Sequence, residues 1–144
     1  MARSIVTLTT DFGTADPYVG IMKGVILSIN PEVDLVDITH DIRAYDVLEA
    51  AYAVAQAYKY FPPRTIHLVV VDPGVGTNRR PLLVSAGTHQ FVCPDNGVLS
   101  VVYATENDGL TVRAVDASHY YLDPISNTFH GRDVFAPVTG WLSR

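Results

Sequence analysis

Candidate catalytic and binding side chains lie in three short stretches of the sequence, two of which directly follow an apolar run. The stretches are "TTDFGTADPY" with Asp11 and Asp16, "VVVDPGVGTNRR" with Asp72 and Arg79, and "TFHGRDVFAP" with His130. A carboxylate at the end of a strand can accept hydrogen bonds from the two hydroxyls of a ribose. An aspartate beside a glycine is as often only a turn former, so the first stretch alone leaves both interpretations open.

The second stretch places a cation seven residues after a carboxylate, across a glycine-containing loop. Gly74 and Gly76 permit positive φ or close approach of the backbone, which allows Asn78 and Arg79 to point inward. In a Walker loop a lysine is followed by serine or threonine. This stretch lacks that pair, so it does not predict a binding site for a nucleoside triphosphate. A purely structural turn is the alternative.

The third stretch places His130 and Gly131 just before a helix that we predict from Asp133 onward. A helix N-terminus carries free N–H groups and partial positive charge, which would stabilise an anion or a hydroxide-like nucleophile near Gly131. His130 could equally cap that helix. The remaining histidines stand in unrelated sequence contexts and lack metal-ligand spacing, so we expect no metal site; they are His40, His67, His89 and His119.

The elements that must position these side chains alternate between strands and helices. Buried strands are predicted at 4–10, 33–38 and 65–71, with helices at 17–29 and 47–61, the second capped by Asp46. Short alternating runs, a short helix at 97–103 and the C-terminal helix follow. This order predicts an α/β fold with a mostly parallel sheet covered by helices on both faces, and ligands bind such sheets at the carboxyl ends of the strands.

Composition limits the classes of partner. The 144 residues carry a formal charge of -5 with no basic run, which argues against nucleic acid, and no apolar run reaches the roughly 18 residues of a membrane span. Cys93 is the single cysteine, so a reducing cytoplasmic setting is expected. The length fits one domain.

Six ordered blocks resemble the S-adenosylmethionine (SAM) hydroxide adenosyltransferases, relatives of the SAM-dependent chlorinase and fluorinase. The blocks are "TLTTDFGTADPYVGIMKGVI", "VDLVDITHDI", "AYDVLEAAYAVAQAYKYFP", "VVVDPGVGTNRRPL", "FVCPDNGVLS" and "TFHGRDVFAP". The resemblance implies that residues 1–144 are an N-terminal α/β domain and that the family's C-terminal β-barrel domain is absent from this chain. It also implies a homotrimer whose substrate, SAM, lies between subunits, with no additional cofactor.

The resemblance further implies that water or hydroxide attacks the ribose C5' of SAM and leaves adenosine and methionine. It assigns positioning of the nucleophile to Asp72, Arg79 and His130, where the halogenases carry other side chains at the first and third positions. Hydrolysis is therefore favoured, with halide transfer or a non-catalytic nucleoside-binding or trimer-forming domain as alternatives. The implied substrate-binding residues are Asp11 on the ribose hydroxyls, Asp16 and Tyr18 nearby, Tyr45 against the sugar or methionine, and Asn96 and Gly131 lining the pocket.

Overall fold

The first half of the chain alternates strands and helices as the sequence predicts. The computed structural model describes residues 2–106 and 108–144. Its first elements are β1 (Ile5–Thr10), α1 (Tyr18–Ile29), β2 (Asp34–Thr39), α2 (Val47–Ala57) and β3 (Ile66–Val70). Asp46 caps α2 by accepting a hydrogen bond from the Glu49 amide. A 3-10 turn at Tyr58–Tyr60 ends the predicted second helix early.

The second half contains the short strands that alternating runs predicted. They are β4 (Pro81–Ala86), β5 (His89–Pro94) and β6 (Leu110–Ala114), with α3 (Ser100–Thr105) between the last two. A 3-10 turn at Ser118–Tyr120 follows. The C-terminal helix begins as a π-helical turn at Gly131–Phe135 and continues as α4 (Ala136–Leu142).

Within the described residues, six strands form one sheet in the order β2-β1-β3-β5-β4-β6. β1 pairs in parallel with β2 and β3, and β3 pairs in parallel with β5. β4 is antiparallel to both β5 and β6. A tight turn joins β4 to β5, and strands joined by so short a connection must run in opposite directions. The sheet is therefore mostly parallel, with one reversed strand.

Helices cover both faces of the sheet, as predicted. β3 is buried throughout, and its side chains alternate between two apolar clusters. Ile66, Leu68 and Val70 face the cluster that includes Met22 of α1 and the C-terminal helix. Val69 faces the opposite cluster, which contains the apolar sides of α2 and α3. Burial on both faces explains why β3 is apolar except for His67.

The topology places the ends of β1 and β3 side by side. The two strands pair in parallel with Thr10 opposite Val70, so the segments that begin at Asp11 and Asp72 leave the same edge of the sheet. The π-helical turn after His130 packs against α1 and β3 and brings the third stretch to that edge. None of the helices in the described part of the chain is both long and apolar enough to span a lipid bilayer.

Candidate functional site

The loop after β3 folds back so that Arg79 meets Asp72. Two turns shape it, with the Val75 amide donating to the Asp72 carbonyl at 3.1 Å and the Thr77 amide to the Gly74 carbonyl at 3.0 Å. Arg79 Nε then lies 3.0 Å from each oxygen of the Asp72 carboxylate, and its Nη2 donates to the same group. The side chains are only 10% and 6% exposed. This is a buried, multiply hydrogen-bonded ion pair.

Arg79 also contacts His130. Its Nη2 lies 2.8 Å from His130 Nδ1, and a guanidinium has only donors, so Nδ1 must be the acceptor. The ring is therefore neutral and carries its proton on Nε2. Burial and the Arg79 charge lower the pKa of His130, in agreement with this form. Phe135 supports the guanidinium, with its ring centroid 5.2 Å from the Arg79 carbon Cζ.

A buried carboxylate organises the backbone that presents His130. Asp133 accepts hydrogen bonds from the Ser126 amide at 2.8 Å and from the Arg132 side chain, while the Phe129 amide donates to Ser126 Oγ at 2.9 Å. Burial acts to raise the pKa of Asp133, but these hydrogen bonds outweigh it and lower the pKa. The segment from Ser126 to Asp133 is thus fixed by its own polar groups.

Asp11, which follows β1, holds a second loop beside the site. Its Oδ2 accepts a hydrogen bond of 2.7 Å from the Tyr45 amide, and Tyr45 adopts a positive φ of 62°. Burial raises the pKa of Asp11, and the negative charge of Asp72 acts in the same direction. The Tyr45 side chain remains 64% exposed beside this carboxylate.

These side chains surround a cavity of ≈ 80 Å³. Five residues singled out from the sequence line it, and two aromatic rings, Phe12 and Phe129, form much of the rest. The lining residues are Asp11, Phe12, Tyr45, Val70, Asp72, Val75, Thr128, Phe129, His130 and Gly131. Arg79 is linked to the cavity through Asp72 and His130. A Cβ added to Gly131 would lie 3.1 Å from Met22 Sδ, so the cavity floor is tightly packed there.

Three predicted site residues lie off the cavity. Asn96, expected to line the pocket, instead donates to the Val71 carbonyl at 2.8 Å and accepts from the Val98 amide at 3.2 Å, so its amide ties β3 to the turn before α3. Asp16 is exposed in the turn before α1. Tyr18 contacts the lining indirectly, with its ring edge-on to Phe129 at 5.3 Å.

Sequence reasoning missed two groups of contacts. Phe12 and Phe129 stand beside Asp11 and His130 in the motifs, and that adjacency was the available signal. Two of the remaining histidines, His67 and His89, are also neighbours in the structure, which their sequence contexts do not indicate. His40 bonds to Thr10 at the end of β1, and His67 Nε2 lies 3.1 Å from His89 Nδ1. Only strand pairing reveals these neighbours.

Among the residues that the structure describes, no group of three or more histidine, cysteine, aspartate or glutamate side chains could hold a metal ion. What the site offers is a carboxylate, a neutral imidazole with a donor at Nε2, and a guanidinium that links them. Such a set can orient one small polar molecule and accept its proton.

Comparison with known proteins identifies the family. Residues 6–144 match the SAM hydroxide adenosyltransferase N-terminal domain. The chain belongs to this family. It is 41% identical over 140 residues to the (R)-S-adenosyl-L-methionine hydrolase of Methanocaldococcus jannaschii, covering 93% of this chain and 51% of that protein. Family membership and the α/β fold were both predicted from the sequence.

Two further relatives extend the comparison. An uncharacterized conserved protein from Thermotoga maritima superimposes with a TM-score of 0.91 at 42% identity, covering 96% of this chain and 53% of that chain. A fluorinase of Nocardia brasiliensis is 26% identical over 164 residues, covering 98% of this chain and 54% of the enzyme. The chain spans about half the length of the curated relatives it matches.

Proposed function

We propose that the protein containing this chain hydrolyses SAM to adenosine and L-methionine. The observation that carries the proposal is the hydrogen-bonded row Asp72–Arg79–His130, which borders the same cavity as Asp11. Support also comes from the relative named (R)-S-adenosyl-L-methionine hydrolase, at 41% identity. SAM is the substrate, and no further cofactor is part of the proposal.

In the proposed reaction a water molecule lies between Asp72 and His130 and attacks C5' of the ribose. The Asp72 carboxylate accepts a hydrogen bond and then the proton, while the Nε2–H of His130 donates to the oxygen and stabilises its developing negative charge. Arg79 holds both side chains. The sulfonium departs as a neutral thioether, so the leaving group needs no acid.

Positioning contributes more than proton transfer in this mechanism. Well-oriented groups can account for about 7 to 11 kcal/mol of barrier lowering, whereas general-base catalysis of 10² to 10⁴-fold corresponds to about 3 to 5.5 kcal/mol. The near-complete burial of the Asp72–Arg79 pair suits a rigid frame of this kind. The carboxylates of Asp11 and Asp72 also attract the cationic sulfonium.

The substrate contacts proposed for this chain are narrower than those the family resemblance implies. Asp11 would bind the ribose hydroxyls, Tyr45 would pack against the sugar or the methionine part, and Gly131 would line the pocket. Asn96 is not included, because its amide is committed to the backbone, whereas Asp16, exposed in the turn before α1, stays a proposed contact near the ribose site. Tyr18 would act through the Phe12 and Phe129 rings.

The size of the cavity supports a shared site. A pocket for a small molecule typically encloses about 300 to 1,000 Å³, several times the ≈ 80 Å³ that this chain encloses. We therefore propose that residues 1–144 are an N-terminal domain, and that a second domain, from a neighbouring subunit of a homotrimer, completes the pocket. A cytoplasmic location is also proposed, since Cys93 is a buried free thiol.

Halide transfer is the second candidate, favoured by the similarity to a fluorinase. The polar lining argues against it, because Asp72 and His130 present a hydrogen-bond acceptor and a hydrogen-bond donor to the cavity, which suit a water molecule better than a halide ion. Incubation of the whole gene product with SAM, with and without chloride or fluoride, separates the candidates by chromatography. Adenosine under all conditions supports hydrolysis, and a 5'-halo-5'-deoxyadenosine would overturn it.

The same assay tests the shared site. Residues 1–144 alone should turn over SAM negligibly, whereas the whole gene product should release equal amounts of adenosine and methionine. Comparable rates for the two proteins would contradict the proposal that a second domain completes the pocket. Binding of adenosine without any turnover by the whole protein would instead favour a non-catalytic nucleoside-binding domain.

A further inference from the structure

A row of hydrogen-bonded polar side chains runs from the surface to the backbone next to Asp11. Lys23 Nζ lies 2.8 Å from Asp37 Oδ2, and Asp37 Oδ1 lies 2.7 Å from His40 Nε2. His40 Nδ1 lies 2.8 Å from Thr10 Oγ1, and that oxygen accepts the Phe12 amide at 3.2 Å. His40 is 6% exposed and Thr10 is fully buried.

The direction of these hydrogen bonds follows from the partners. The Asp37 carboxylate accepts, so Nε2 of His40 carries a proton. Thr10 Oγ1 accepts from the Phe12 amide, and its hydroxyl proton can donate to Nδ1 of His40 when that nitrogen carries no proton. Burial acts to raise the pKa of Asp37, but the bonds from Lys23 and His40 outweigh it and lower the pKa. Each side chain in the row therefore has a hydrogen-bond partner.

His40 joins the two loops that carry cavity residues. Its carbonyl accepts the Gly13 amide at 2.7 Å, while its ring bonds to Thr10, so it contacts both ends of the segment that contains Asp11. Five residues later on the same loop, the Tyr45 amide donates to Asp11 Oδ2 at 2.7 Å. Displacement of the His40 ring would therefore loosen Asp11 and Tyr45 together.

Thr10, His40 and Asp37 have the connectivity of a hydroxyl, histidine and carboxylate triad. Nucleophilic catalysis requires the hydroxyl to reach a substrate, yet Thr10 is buried completely and does not line the cavity. The row is not suited to covalent chemistry. Its contacts lead only to the backbone around Asp11.

We propose that His40, oriented by Asp37, is a positioning residue that holds Asp11 and Tyr45 in place for the ribose of the substrate. The role in catalysis rests on the proposed function. Because Asp11 would bind the ribose equally in the ground state and the transition state, loss of its position should raise KM and leave kcat nearly unchanged.

The test compares His40→Gln with His67→Gln in the whole gene product. His67 is a matched control, because it is also buried and bonds through Nδ1 to a β1 threonine, Thr7, at 2.7 Å, but its other ring nitrogen bonds to His89, away from the segment that contains Asp11. Both variants should lose thermal stability. We expect KM for SAM to rise about tenfold in His40→Gln, and to stay within about twofold in His67→Gln.

Asp37→Asn provides a second variant that keeps an acceptor for His40 Nε2. Its KM should lie between those of the wild type and His40→Gln. This variant also decides the case if His40→Gln fails to fold. A wild-type KM in every folded variant at this row would overturn the positioning role.

Amide hydrogen exchange, measured without substrate, tests the positioning role of His40 independently of SAM hydrolysis. The amides of Phe12, Gly13 and Tyr45 should exchange about tenfold faster in His40→Gln and at the wild-type rate in His67→Gln. Fast exchange in a protein that does not hydrolyse SAM would leave the positioning role intact and remove only the proposed function. Unchanged exchange at all three amides would refute the positioning role.

Discussion

Arg79 Nη2 donates to His130 Nδ1 over 2.8 Å, while Nε and Nη2 also donate to the Asp72 carboxylate. One cation thus fixes the separation of a carboxylate and an imidazole that are 58 residues apart in the chain. The contact also fixes the tautomer of His130, because Nδ1 has to accept. The protonation state of the imidazole should therefore control how the proposed site works.

The first prediction is an acid limit on activity set by His130. Protonation of Nδ1 would remove its hydrogen bond from Arg79 and place two cations in contact, so kcat should fall in acid. Burial and the charge of Arg79 lower the pKa of His130 below its ordinary value of about 6.5. The pH at which kcat falls to half its maximum should therefore lie below 6.5. Between pH 7 and 8 this group should cause no change. A kcat profile between pH 4.5 and 8 measures it.

His130→Asn serves as the control for that profile. The asparagine amide can still offer an oxygen to Arg79, but it does not titrate in this range. Its kcat should be lower at pH 7, and the acid limb due to the imidazole should disappear or move to the lower pH of a carboxylate. An unchanged limb in this variant would assign it to another group.

The second prediction concerns Asp72→Asn, which keeps an acceptor for Arg79 and removes the base. We expect kcat to fall by about 10² to 10⁴-fold and KM to change by less than about threefold, because the carboxylate acts on the transition state. Asp95→Asn is a matched control, since Asp95 also pairs with an arginine, Arg80, at 3.0 Å, but on an exposed surface. Its kcat should match the wild type. Equal kcat values in both variants would remove the catalytic role of Asp72.

The sequence predicts those parts of the fold and site that depend on neighbours along the chain. Strands and helices in the first half were predictable because their apolar spacing is regular and because Asp46 carries its own capping oxygen. The cluster at the strand ends was predictable as well, since Asp11 and Asp72 directly follow strands that pair in parallel. The resemblance of the sequence to the family then predicted that His130 and Asp72 belong to one site.

Contacts between distant segments were not predictable in the same way. Asn96 was placed at the pocket from its motif, yet its amide is used by the Val71 carbonyl and the Val98 amide, which only the packed turn reveals. The ring of Phe135 lies beneath Arg79 because the turn after His130 is π-helical, a local geometry with no clear sequence signal. Hydrogen bonding of His40 with Thr10 likewise depends on the pairing of β1 with β2.

The third prediction uses Gly76, where the loop after β3 contacts the segment before His130. Gly76 has φ +80°, and an added Cβ would lie 2.4 Å from the Asn127 carbonyl oxygen. Gly76→Ala should therefore push the two segments apart, with a loss of both stability and kcat. Gly97→Ala is the control, because Gly97 has φ +88° but open space around its Cβ position. Its cost should be the backbone strain alone, about 1 to 2 kcal/mol.

Urea unfolding measures the stability of the two glycine variants, and steady-state kinetics measure their kcat. Gly76→Ala should be the less stable of the two, and it alone should lose activity at a temperature where both remain folded. Wild-type kcat in Gly76→Ala would show that the contact with Asn127 does not position His130.

The last prediction is an acid-sensitive stability set by buried histidines. Burial, with a smaller effect of His89, lowers the pKa of His67 to about 3, and burial also lowers the pKa of His89. In the unfolded chain each has a pKa of about 6.5, so below that pH the unfolded state binds more protons than the folded state. Stability is therefore fully present above pH 6.5. It should decrease as the pH falls below 6.5, by up to roughly 1.4 kcal/mol per pH unit for His67, and the lowered pKa of His89 acts in the same direction.

His67→Gln isolates one of these contributions. The variant should be less stable at pH 7.5, because the hydrogen bonds of His67 with Thr7 and His89 are lost. Its stability should depend less on pH, so the difference from the wild type should shrink by roughly 1.4 kcal/mol per pH unit between pH 6 and 5. Groups that titrate in both proteins, including His130, cancel in that difference. Urea unfolding at pH 7.5, 6 and 5 measures it, and parallel profiles would show that His67 is not kept neutral by the fold.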